Sequence, residues 1–210
     1  MAVIDYGVGN LLSVRRALEH CGATVAVTAD PDAILAAARV VLPGVGAFAN
    51  GMAQLERQGL ADTVRDVAAR GRLLLGICLG MQMLFDRSTE FGVTSGLGLI
   101  AGTVVEVPST TSTGRAQKIP HIGWNALVLP RGRESWKETV LQELQPGEAA
   151  YFVHSFMASP SDPGHRIADC LYGDIPIAAV VGRDNVLGCQ FHPEKSGEAG
   201  LNVLRQFLRM

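Results

Sequence analysis

No stretch limits this chain's architecture as tightly as residues 72–82, Arg72-Leu73-Leu74-Leu75-Gly76-Ile77-Cys78-Leu79-Gly80-Met81-Gln82. A run of consecutive apolar residues predicts a strand buried on both faces. Gly-x-Cys-x-Gly then predicts a sharp corner into a helix, the cysteine counterpart of the Gly-x-Ser-x-Gly nucleophile elbow. Such a corner strains the backbone at the nucleophile and brings neighbouring backbone close, so Gly76 and Gly80 carry no Cβ to clash. A thiol at the start of a helix faces the positive end of its dipole, which favours thiolate over thiol. The Leu79 N–H is unsatisfied at that corner and is a candidate oxyanion donor. The competing reading of the same five residues is a small buried cysteine between two packing glycines.

The rest of the first half alternates strand and helix. Ala2-Val3-Ile4 reads as a short buried strand, followed by the glycine-rich loop Asp5-Tyr6-Gly7-Val8-Gly9-Asn10. Asn10 is a plausible N-cap for a helix through His20, which Gly22 ends. The loop lacks the Gly-x-x-x-x-Gly-Lys-Ser/Thr pattern, so it is a weak phosphate signal. A strand over Thr24–Val27, a helix over Pro31–Ala38 capped by Asp30, and a strand Val40-Val41-Leu42 come next. Pro43-Gly44-Val45-Gly46 leaves that strand with uncovered N–H groups and peptides free to reorient. Helical patterns cover Met52–Gln58 and Asp62–Arg70. Short connections between alternating strands and helices predict a parallel, doubly wound sheet.

The second half has few helices. Val104–Val107, Ala126–Leu129, Tyr151–Val153, Ile167–Tyr172, Ile177–Val181 and Leu187–Gln190 read as strands, and Ser196–Leu208 as a closing helix. The predicted fold is α/β: an open, mostly parallel twisted sheet with helices on both faces and an antiparallel extension. Ser109–Gly114 is Ser/Thr-rich and reads as a surface loop. No repeat or linker divides the chain, and 210 residues suit one domain, 1–210.

Composition narrows the function. A net charge of −2 with no basic block argues against nucleic acid or an anionic membrane as partner. No apolar run reaches the ~20 residues that cross a bilayer. Asp5 interrupts the apolar start and no cleavage-like site follows, which argues against a signal peptide and for a cytoplasmic protein. Cys21, Cys78, Cys170 and Cys189 form no Cys-x-x-Cys pair, so neither a metal site nor a disulfide framework is expected. Cys21, Cys170 and Cys189 read as small buried hydrophobes.

His192-Pro193-Glu194 follows the last predicted strand. In extended backbone, residues two apart share a face, so His192 and Glu194 are expected to point the same way. A carboxylate on one imidazole nitrogen fixes the tautomer and leaves the other for a thiol proton. Alone, this would read as a surface turn. Paired with an elbow cysteine at the same sheet edge, it predicts a Cys78–His192–Glu194 triad.

The elbow and His-Pro-Glu together resemble the class I (triad) glutamine amidotransferases. The stretches 5–10, 43–46, Pro120-His121-Ile122-Gly123-Trp124-Asn125, Tyr151-Phe152-Val153-His154-Ser155-Phe156 and His192-Pro193-Glu194-Lys195-Ser196 are similar to one family within them. That family is the glutaminase subunits of imidazole glycerol phosphate synthase, in histidine biosynthesis. The resemblance covers essentially the whole chain, in order. It implies that Cys78 attacks the glutamine amide, that His192 moves protons and that Glu194 orients it. It implies an oxyanion site from Leu79 and the Val45–Gly46 peptides after a flip. It implies glutamine contacts from Gly44, Gln82, Glu90, His154 and Ser155, and a partner interface at Asn10, Trp124, Tyr151 and Lys195.

The implied partner is a (β/α)₈-barrel cyclase that receives ammonia; no cofactor and no metal are implied. His121 and His154 are expected to be structural or interface residues and not bases. Trp124 is expected exposed in a turn, with a core aromatic as the alternative. Phe156 replaces the Tyr often found there, so only backbone contacts are carried over. Three competing readings stay open. One is a glutaminase serving pyridoxal phosphate, anthranilate or aminodeoxychorismate synthesis; another is a hydrolase of the same elbow type, such as a peptidase or γ-glutamyl hydrolase; the third is a non-catalytic binding module.

Overall fold

A computed structural model describes residues 1–210. The strands are β1 (Ala2–Ile4), β2 (Ala26–Thr28), β3 (Arg39–Gly44), β4 (Leu73–Cys78), β5 (Phe85–Ser88), β6 (Thr94–Ser95), β7 (Ile100–Glu106), β8 (His121–Val128), β9 (Ala149–His154), β10 (Phe156–Pro160), β11 (Arg166–Tyr172), β12 (Ile175–Arg183) and β13 (Val186–Cys189). The helices are α1 (Leu11–His20), α2 (Pro31–Ala36), α3 (Phe48–Arg57), α4 (Leu60–Ala69), α5 (Leu79–Met83) and α6 (Gly197–Arg209). Nine strands form one sheet in the order β2-β1-β3-β4-β13-β12-β11-β8-β9. The first five run parallel and the remainder pair antiparallel, as the alternation predicts.

Period-two alternation sorts the central strands into two cores. Leu75 and Ile77 join Val14, Leu18, Val203 and Phe207 of α1 and α6 on one face; Leu74 joins Ile34, Met52, Leu55 and Val64 of α2, α3 and α4 on the other. Asp30 caps α2 by accepting from the Asp32 N–H at 3.1 Å, and Gly22 ends α1 with φ +93°. Asn10 precedes α1 but makes no capping hydrogen bond through its side chain.

Three expectations are corrected. Val104–Val107 lies largely in β7, which belongs to a second, four-stranded sheet ordered β10-β7-β5-β6 and not to the main sheet. β5 and β6 are short and polar, so no apolar alternation announces them. His121–Asn125 is the first half of β8 and not a turn. Cys21 is only partly buried, whereas Cys170 and Cys189 are fully buried. Burial pushes the Cys170 thiol up to about 12 and raises that of Cys189 as well. No helix is long and apolar enough to cross a membrane.

The register of the central strands builds the site. β3 and β4 align Gly44 with Cys78, and β4 and β13 align Ile77 with Cys189. The loop after Gly44, the elbow cysteine and the residues just past Cys189 therefore meet at one carboxyl edge, where parallel sheets place their sites. The corner is steric as expected. A Cβ on Gly80 would sit 1.8 Å from the Leu42 carbonyl oxygen, with no flexible side chain to yield. Gly80→Ala is therefore expected to destabilise the fold by about 3 kcal/mol or more, the scale of a severe overpacking clash. Chemical denaturation measures it; a loss below about 1 kcal/mol would show that the corner relaxes.

Candidate active site

Cys78 closes β4 with φ +55° and ψ −112°, the strained conformation that a nucleophile elbow imposes. It is 7 % exposed and lines a cavity of about 370 Å³. The His192 ring lines the same cavity, close enough for the Cys78 sulfur to influence its protonation. His192 Nδ1 lies 2.8 Å from Glu194 Oε1, which leaves Nε2 for the thiol. The pairing predicted from sequence is present, but by another route. Pro193–Lys195 is a 3₁₀ turn, so Glu194 reaches back to His192 through the turn and not along extended backbone. The α5 helix is five residues long, so its dipole is short and the polarising work falls to His192 and Glu194.

Burial lowers the His192 pKa, but the neighbouring Cys78 sulfur and the hydrogen-bonded Glu194 carboxylate outweigh it and raise the pKa to about 9. His192 therefore carries its proton at neutral pH. Its backbone is also pinned: its N–H donates to the Tyr151 carbonyl at 3.0 Å, and its carbonyl accepts from Ser196 Oγ at 2.7 Å.

Val45, Gly46, Leu79, Gln82, Glu90, His154, Ser155, Phe156 and Lys195 share the cavity with Cys78 and His192. Gly44 does not line it: a Cβ there would meet the Tyr6 hydroxyl at 2.5 Å, so Gly44 is a close-packed floor for the loop. Tyr6 donates to the Pro43 carbonyl at 2.8 Å and holds the base of the 43–46 loop. Its burial, with a smaller contribution from Cys78, raises its pKa and keeps it a donor. Glu90 accepts from the Phe48 N–H at 2.6 Å, so one oxygen caps α3 while the side chain borders the cavity. Trp124 is 59 % exposed and packs edge-to-face on Tyr151, its cross-strand partner. Asn10 is partly exposed; neighbouring Gly9 lies close to the Pro43 ring.

Gln190 is a site residue that carried no sequence-based role. It is fully buried, accepts from Gln82 Nε2 at 3.0 Å and directs its own amide at the Cys78 sulfur, 3.9 Å away. No local signal marks it: Gln190 lies in the bend just after β13, two residues before His192.

A family model described as glutamine amidotransferase class-I matches residues 2–210. The chain belongs to the class I glutamine amidotransferases. Among the relatives of this amidotransferase is a protein of Legionella pneumophila (strain Lens) named imidazole glycerol phosphate synthase subunit HisH 1. It is 51 % identical over 210 residues, covering 100 % of this chain and 99 % of that protein. A HisH subunit of Geobacillus thermodenitrificans (strain NG80-2) is 45 % identical over 99 % of this chain and 94 % of its own. A solved structure titled as a glutamine amidotransferase shares the amidotransferase's fold, with a TM-score of 0.73 at 18 % identity over 99 % of this chain and 97 % of that one.

Proposed function

We propose that this amidotransferase is the glutaminase subunit of an imidazole glycerol phosphate synthase, acting as a single domain in the cytoplasm. The observation that carries the reading is a strained elbow thiol sharing a cavity with a carboxylate-held imidazole, a cavity edged by Gln82 and Glu90. The names borne by its relatives supply the particular synthase.

The thiolate of Cys78 attacks the side-chain amide carbon of glutamine. The oxyanion is received by the Leu79 N–H and, after a peptide flip, the Val45 N–H at the Val45–Gly46 corner. Each such donor is worth about 3–4 kcal/mol, so the flip alone switches turnover by about two to three orders of magnitude. The C–N bond breaks as His192 gives its proton to the departing nitrogen. Ammonia leaves and a γ-glutamyl thioester remains. Water then gives a proton to His192 and its oxygen to the thioester carbon, which releases glutamate and restores Cys78. Glu90 faces the substrate's α-ammonium, while Gln82 and the His154-Ser155 backbone hold the rest. Gly44 contributes by packing under the oxyanion loop.

Ammonia must reach its acceptor before water protonates it, so a cyclase subunit of (β/α)₈-barrel form docks over the cavity. Exposed Trp124 and Ile122 on β8, with Tyr151, Lys195 at the cavity edge and Asn10, form the docking face. Titrating glutaminase activity with the cyclase subunit tests the reading. Stimulation that saturates at one partner per chain supports it; strong partner-free turnover of γ-glutamyl peptides contradicts it. In the same titration Trp124→Ala is expected to weaken docking by about 2 kcal/mol, roughly 30-fold in Kd. An unchanged Kd would remove Trp124 from the interface.

A further inference from the structure

Three polar side chains beside the cavity, Asn125, His121 and His154, form a directed chain of hydrogen bonds that the hydrolysis steps do not use. The Phe156 carbonyl can only accept, so His154 Nδ1, 2.9 Å away, carries the hydrogen. Burial lowers the pKa of both His154 and His121 to about 4, so each ring is neutral and has one N–H. His154 Nε2 is therefore an acceptor, and His121 Nδ1, at 2.9 Å, donates to it. His121 Nε2 is left to accept from Asn125 Nδ2 at 3.4 Å. The chain runs Asn125 to His121 to His154 to the Phe156 carbonyl.

That carbonyl is a junction. It also accepts from Gln82 Nε2 at 2.9 Å, and Gln82 Nε2 gives its second hydrogen to Gln190, which faces the Cys78 sulfur. Both amide hydrogens of Gln82 are committed, so the orientation of this cavity residue depends on where the Phe156 carbonyl is held.

The other end lies on β8. Strand alternation turns Ile122 and Trp124 to solvent and His121 inward. The His121 ring is clamped between Phe152, stacked at 4.9 Å, and Tyr172 at 4.2 Å, so it moves with its strand and not by free rotation.

We infer that His121 and His154 are positioning residues that couple the outer face of β8 to Gln82 and the nucleophile. The coupling rests on the reading of the site as a partner-stimulated glutaminase. A partner pressing on Trp124 shifts His121, and the shift passes through His154 and the Phe156 carbonyl to Gln82.

Two measurements test it. Long-range proton–nitrogen NMR of the histidine rings reads the tautomers directly in the unmodified protein. The chain requires hydrogen on Nδ1 and none on Nε2 in both rings; an Nε2–H tautomer in either one overturns it. The second is the ratio of kcat/KM for glutamine with and without saturating cyclase subunit. His121→Phe keeps the stack but not the donor, whereas His121→Asn keeps a donor near Nδ1. The ratio is expected to fall about tenfold or more in His121→Phe and to stay within about threefold in His121→Asn. A ratio unchanged in His121→Phe, or lost equally in both, overturns the coupling. Absence of stimulation in the unmodified protein would contradict the function proposed above and not the hydrogen-bond chain, which the tautomers still decide.

Discussion

Cys78→Ala is expected to lower glutamine hydrolysis by roughly 10⁵-fold or more, the scale set by deleting a nucleophile whose partners cannot act without it. The substitution removes one sulfur atom from a residue that borders a cavity, so no large packing loss accompanies it. Glutamine binding should persist, because Gln82, Glu90 and Ser155 are untouched. In the complex, synthesis supported by added ammonia should continue at its normal rate, since this chain supplies only nitrogen. Assays of both routes on one preparation check the division of labour. Loss of ammonia-supported synthesis would show that Cys78 serves the partner's chemistry as well.

Glu194→Gln is expected to cost about three to four orders of magnitude in kcat/KM for glutamine. Glu194 is buried, with Oε1 on His192 Nδ1 and Oε2 without a hydrogen-bond partner. An amide has two ways to sit there and both are poor. Its NH₂ towards Nδ1 inverts the tautomer; its NH₂ in place of Oε2 buries an unpaired donor. The charge that helps hold the His192 pKa at about 9 is lost either way. The sign of the stability effect follows. A pKa raised from 6.5 to about 9 contributes stability that is complete below 6.5 and lost as pH rises through 9. Denaturation of the unmodified protein should therefore show a decline between pH 7 and 9 that Glu194→Gln flattens. An equal decline in both would assign it to other groups.

The parallel half of the fold was legible because its central strands, around Val40–Leu42 and Leu73–Leu75, are continuous apolar runs and Gly22 marks the end of α1. Leu73–Leu75 with Gly76 and Gly80 could form little else than a buried strand and a tight corner. The small second sheet was not legible, since Phe85–Ser88 and Thr94–Ser95 are too short and polar to show a period. His121–Asn125 looked like a turn because Gly123 interrupts it, yet pairing with β9 carries the strand through. The triad could be read because its residue types are chemically restrictive. Its geometry could not, because the 3₁₀ turn at Pro193 is set by packing of α6 against that corner. Gln190 and the His121–His154 pair escaped for a different reason. Their roles depend on which long-range partner each amide or imidazole meets, and no local pattern encodes that.

The most direct measurement is alkylation by a diazo-ketone analogue of glutamine, with the modified residue mapped by mass spectrometry. Such a reagent must bind as glutamine does and then meet a nucleophile positioned for the side-chain carbonyl. A single adduct on Cys78, suppressed by glutamine and lost in His192→Gln, is the predicted result. Label on Cys21, Cys170 or Cys189, or none on Cys78 at saturating reagent, would contradict an activated thiol at this corner.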